Sequence, residues 1–175
     1  MGGDRTGQAA AVPAHRAILH GRRSARISRS PLHQRVVCRL LGILDDALPD
    51  ELEPLPAVNV RVSGSDFSIP DLVVVPTAMT EKVELMFAPA HLLLVVEVSS
   101  PSTAKQDESL KAVAYAQAGI PSYWRVEPDE GPALYVYELN GDRYDPPVVH
   151  KAGVVARMAV PVVVGFDPAV LCARR

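Results

Sequence analysis

The segment LLLVVEVSS, residues 92–100, limits the possible folds of this chain more than any other stretch. Five aliphatic residues run unbroken into Glu97, and Val98 follows it. An aliphatic run of strand length fits a strand covered on both faces, in the middle of a sheet. A carboxylate carried into that interior must be paired or must coordinate a cation. Any fold of this chain therefore has to bring a partner to Glu97.

The pattern around this strand sets the architecture. Residues 31–48, PLHQRVVCRLLGILDDAL, repeat apolar side chains at Leu32, Val36, Leu40, Leu44 and Leu48, with Val37 and Leu41 widening the stripe. That period predicts an amphipathic helix, capped by Ser30 and entered through Pro31, with LPDELEP ending it. The period then drops to two. Val58, Val60 and Val62 share one face of a strand, the SGSD turn follows, and FSIPDLVVVP returns antiparallel. Residues 101–119 predict a helix, with Thr103 as N-cap, Gln106 closing a capping box and Gly119 as the stop. SYWRVEP and ALYVYELN read as strands, Gly141-Asp142 as a turn, and RYDPPVVH as the returning strand. MAVPVVVGFDPAVL reads as an edge segment and a short turn or helix. This order of elements predicts an α/β fold, a mixed central sheet flanked by helices.

Length and charge narrow the class. A chain of 175 residues, 48% hydrophobic, suffices for one domain with a real core. Residues 1–22 read as a disordered basic arm, and residues 23–175 as a single domain. The first 30 residues carry six Arg against Asp4, a charge of +5, and the remainder carries −7. Such an arm suits either an approach to nucleic acid or simple solubility. No apolar run reaches the roughly 20 residues of a membrane span, and no signal-like segment opens the chain. Cys38 and Cys172 fit no metal spacing, so the expectation is a reduced, cytoplasmic protein. Apolar edge strands near 133–149 and 154–164 suggest a homodimer.

Chemistry concentrates in two places. Asp71 opens an apolar strand, and Glu97 and Ser99 share one face of the next. In the following helix Asp107, Lys111 and Tyr115 are spaced four apart and form one stripe. If that helix packs back on its own strand, the stripe faces Glu97. Ala104, Ala112, Val113 and Ala116 form the small apolar surface for that contact. Two carboxylates from neighbouring strands suit Mg²⁺ or Mn²⁺, hard cations that take oxygen ligands and keep waters. Lys111 beside them can stabilise developing negative charge. The simpler alternative is a structural ion pair of Glu97 with Lys111, with Asp71 at a hairpin mouth. His33 reads as a surface or capping residue within reach of a phosphate, and Ser99 has no neighbouring His to act as its base. Phosphate-binding loops, dinucleotide fingerprints, zinc-protease and serine-hydrolase motifs are all missing from the sequence.

PDLVVVP followed by LVVEVSSPSTAKQDESLKAVAYAQAGIPSYWRVEP closely resembles the Uma2 (DUF820) family of the PD-(D/E)XK nuclease superfamily. The resemblance runs from about residue 27 to the C-terminus and is strongest over 70–128. It implies a restriction-endonuclease-like core and a metal-dependent endonuclease acting on nucleic acid, DNA by expectation. It also implies that Asp71 and Glu97 bind the metal and that Lys111 takes the place of the motif lysine, since Ser99 stands at the usual lysine position. Asp107 and Tyr115 match the family's helix pattern, and SPLHQRVVCRLLGIL its first helix. One departure stands out. Members usually carry an early acidic segment of the form ELIDG, where this chain reads AHRAILHGRRSARISRS, without an acid. A noncatalytic member of the fold, acting in binding or assembly, is therefore the alternative.

Overall fold

Ser30 starts the first helix as its sequence requires. Its side chain accepts a hydrogen bond from the His33 N–H at 3.1 Å, and Pro31 occupies the first turn of α1 (Pro31–Ala47). The structure, a computed structural model, describes residues 30–64, 66–99, 105–129, 131–159 and 161–174, with only the backbone of 105–108. The basic arm at 1–22, Thr103 and the side chain of Gln106 lie outside the described residues.

The chain after α1 does not go directly to a hairpin. It first forms β1 (Leu52–Pro56), which pairs antiparallel with β4 (Leu72–Pro76). LPDELEP was expected only to end the helix, and Pro54 and Pro56 concealed the strand. β1 lies at one end of the sheet, where a missing N–H faces no partner strand. The expected long hairpin is correspondingly reduced to β2 (Val60–Arg61) and β3 (Phe67–Ser68), a two-stranded sheet of its own. A short α2 (Thr77–Thr80) leads away from β4.

β5 (Leu94–Val98) is buried along its whole length, as its aliphatic run demands. It lies antiparallel to β4 and parallel to β6 (Ser122–Glu127). The parallel step needs a crossover, supplied by α3 (Lys105–Gln117). Gly119 stops α3 in the left-handed region at φ 79°, with its N–H on the Ala116 carbonyl and the Ile120 N–H on the Tyr115 carbonyl. β7 (Ala133–Asn140) follows antiparallel. The expected single returning strand is split into β8 (Arg143–Tyr144) and β9 (Val148–Lys151), both paired with β7, because Pro146 and Pro147 supply no N–H between them. β7 is thus interior, which removes most of the edge expected at 133–149. β10 (Ala156–Met158) and β11 (Val164–Phe166) form a separate pair, and α4 (Ala169–Cys172) follows.

Two cores cover the two faces of the sheet. Val36, Leu40 and Leu44 of α1 pack with Leu72, Val74, Leu94, Val96 and Trp124, joined by Met158, Phe166 and Leu171. On the other face Tyr115 packs with Val73, Val75, Val95 and Tyr123, and Val60 and Phe87 close the cluster. Alternation puts Glu97 on this second face, under α3. Ala104 lies outside the described residues, and among the rest the packing surface of α3 differs from expectation at one point. Ala116 is buried and Ala112 partly so, while Val113 faces solvent at 53% exposure.

Leu94 is fully buried and Leu110 is 53% exposed. Leu94→Ala should therefore lower the unfolding free energy in urea by about 2–5 kcal/mol, and Leu110→Ala by no more than about 0.5 kcal/mol.

Candidate active site

Asp71 and Glu97 meet through the β4–β5 pairing. Asp71 immediately precedes β4, and its Oδ2 accepts the Val98 N–H at 2.9 Å. That bond crosses to β5 and places the Asp71 carboxylate next to the residue after Glu97. Asp71 is 7% exposed and Glu97 8%. The Asp71 charge is close enough to raise the cost of ionising Glu97.

Two side chains from α3 serve Glu97. Lys111 Nζ donates to Oε2 at 2.9 Å, and the Tyr115 hydroxyl donates to Oε1 at 2.7 Å. The spacing of four between Lys111 and Tyr115 thus does what the helix stripe predicted. Asp107, the third residue of the stripe, lies in the first turn of α3, and its side chain is outside the described residues. Ser68 of β3, not anticipated from the sequence, lies 2.8 Å from the Tyr115 hydroxyl. Since Tyr115 donates to Glu97, Ser68 donates to Tyr115. A lone Ser in a turn-rich segment carries no pattern that could have indicated this.

His33 corrects its own reading. Expected at the surface, it is 3% exposed, and its Nε2 lies 3.1 Å from Asp71 Oδ2. The sequence did contain the signal. Position 33 lies three before Val36 and four before Val37, on the same stripe of α1. Ser99, at the position of the usual motif lysine, follows β5 with its N–H on the Val126 carbonyl at 2.8 Å. Its Oγ is buried and has no partner among the described residues. Arg125 stands opposite Glu97 in the β5–β6 register. Its guanidinium lies 4.1 Å over the Tyr135 ring and 2.9 Å from Glu127.

The electrostatics follow from burial. Burial pushes the Glu97 carboxyl above its ordinary value. Lys111 pulls it back, Asp71 raises it further, and the hydrogen bonds from Tyr115 and Lys111 lower it. The net direction is upward: one Lys, itself about a third exposed, does not balance the buried acids. Burial, then the charge of Glu97, pushes the Tyr115 hydroxyl well above its ordinary value, so it remains a hydrogen-bond donor.

The donor set fits a hard divalent cation. Both acids supply oxygen, and the residual preference for positive charge is what a cation would satisfy. Among the described residues no three His, Cys, Asp or Glu side chains form a metal-holding group. Water would complete the coordination, as Mg²⁺ tolerates readily. No helix among the described residues is long and apolar enough to cross a membrane.

Comparisons with known proteins bear on the family and the fold. A family model for Uma2, described as "Putative restriction endonuclease", matches residues 17–168. No curated protein matches the chain. A solved structure from Anabaena variabilis ATCC 29413, described as "a putative nuclease belonging to DUF820", superposes with a TM-score of 0.61 at 17% identity. The match covers 75% of this chain and 73% of that one. The chain belongs to the Uma2 family, and its mixed α/β fold is restriction-endonuclease-like.

Proposed function

We propose that this protein is a divalent-cation-dependent endonuclease that hydrolyses phosphodiester bonds of nucleic acid, with DNA as the first substrate to test. The observation that carries the reading is the buried Asp71–Glu97 pair with Lys111 Nζ 2.9 Å from Glu97. Asp71 and Glu97 would hold Mg²⁺ or Mn²⁺. When bound, the cation supplies charge neutralisation at the scissile phosphate and a nucleophile drawn from water.

The remaining roles belong to the chain itself. Lys111 is exposed enough to reach a phosphate oxygen and sits close enough to Glu97 to be positioned by it. Its charge stabilises negative charge developing in the transition state. Tyr115, held by Ser68, fixes Glu97 Oε1 and prevents the carboxylate from rotating. The hydrophobic walls of the second core lower the local dielectric, so each of these charges acts more strongly than in water.

A second reading rests on the same contacts. Lys111 and Tyr115 already serve both oxygens of Glu97, which is what a purely structural ion pair in a noncatalytic domain would look like. Cleavage assays separate the two. Purified protein should cut plasmid DNA in millimolar Mg²⁺ or Mn²⁺ and stop in EDTA. Asp71→Ala and Glu97→Gln should fall below detection, and Lys111→Met should lose about 10²- to 10³-fold. Cutting that persists in EDTA, or in either acid variant, contradicts the mechanism.

The raised Glu97 pKa also makes a stability prediction. Between the unfolded value of 4.5 and the higher folded value, the folded state binds more protons than the unfolded state. Stability contributed by this group therefore falls as pH rises through that window. Glu97→Gln removes the penalty, so its melting midpoint relative to wild type should climb from pH 4.5 upward and then level off. A variant that loses stability relative to wild type over that range would show that the ion pair with Lys111 outweighs burial.

A further inference from the structure

The nuclease reading leaves the buried polar side chain of His33 without a role. His33 is 3% exposed, yet it sits on the sheet face opposite α3, in the helix stripe that otherwise carries Val36, Val37, Leu40 and Leu44. A polar ring in that stripe is costly, and an aliphatic residue would complete the packing more cheaply. Nδ1 of this ring is buried and has no partner among the described residues, which adds to the cost. Nε2 has a partner, Asp71 Oδ2, at 3.1 Å.

That oxygen is held twice. It accepts from His33 Nε2–H and from the Val98 N–H at 2.9 Å. The two donors come from different elements, α1 and β5, and their lines of approach fix both the position and the rotation of the Asp71 carboxylate. The ring adds to the backbone bond a second anchor on that oxygen, from an element outside the sheet.

We propose that His33 is a positioning residue of the cation site, locking Asp71 Oδ2 so that the carboxylate faces Glu97 in the geometry a divalent cation requires. The inference rests on the proposed acid-pair site. It extends that site to α1, whose His33 bonds the Asp71 carboxylate. Hydrogen-bonded partners of a ligating carboxylate tune affinity by about 10- to 100-fold, and that is the size of effect assigned to His33.

Calorimetric titration with Mn²⁺ tests this without relying on cleavage, and thermal melting in EDTA reports the fold separately. His33→Ala should weaken Mn²⁺ binding by about 10- to 100-fold. His33→Gln places an amide N–H near the position of Nε2 and should restore most of the affinity. His33→Asn places its amide near Nδ1 and should not, although its melting midpoint in EDTA should match that of the Gln variant. Equal affinity in all four proteins overturns the inference while leaving the acid-pair site standing. Imidazole nitrogen coupling to bound Mn²⁺ in electron-spin-echo spectra would also overturn it, because His33 would then be a ligand rather than a support. Absence of Mn²⁺ binding by wild type removes the acid-pair site and this inference together.

Discussion

Two carboxylates buried side by side at the centre of a sheet are the feature around which this molecule is organised. Removing a charge from water costs several kcal/mol, and a second like charge nearby adds to that cost. Every element near Asp71 and Glu97 supplies something that offsets it. The β5 backbone donates through Val98, α3 supplies Lys111 and Tyr115, and β3 supports Tyr115 through Ser68. From the other face, α1 contributes His33. The compensation is incomplete, since Glu97 still resists ionisation. Such a deficit of positive charge is unfavourable for stability alone, and it suits a site that takes up a cation.

The sheet makes this arrangement possible because its central strands run in opposed and parallel senses. The antiparallel step from β4 to β5 brings Asp71 alongside Val98, one residue from Glu97. The parallel step from β5 to β6 requires a crossover, and the crossover helix α3 lies over Glu97. The aliphatic residues Leu94, Val95, Val96 and Val98 keep β5 buried and rigid while it carries the single acid. Fold and site are therefore specified by the same few strands.

Much of this was legible in the sequence, for identifiable reasons. An acid inside LLLVVEVSS demands a partner, and a stripe spaced by four offers Lys111 and Tyr115 on one helix face. Those features depend on local period alone, which side-chain alternation transmits directly into three dimensions. The missed parts depend on tertiary context. β1 was hidden because its prolines are acceptable only at an edge, and no local pattern reveals which strand will be an edge. Ser68 reaches Tyr115 across 47 residues of sequence, and His33 reaches Asp71 across 38. His33 did sit on the apolar stripe of α1. Its burial runs against its local setting, because a polar residue beside a cap is ordinarily solvent-facing.

The central claim is that the Asp71–Glu97 pair is a cation site to which Lys111 is a neighbour, rather than an ion pair complete in itself. Anomalous scattering from a Mn²⁺-soaked crystal tests it most directly. The account predicts a peak between the Asp71 and Glu97 carboxylates, with Lys111 Nζ displaced from its 2.9 Å contact with Glu97 Oε2. A map with no peak at saturating Mn²⁺, and with that contact intact, would contradict it.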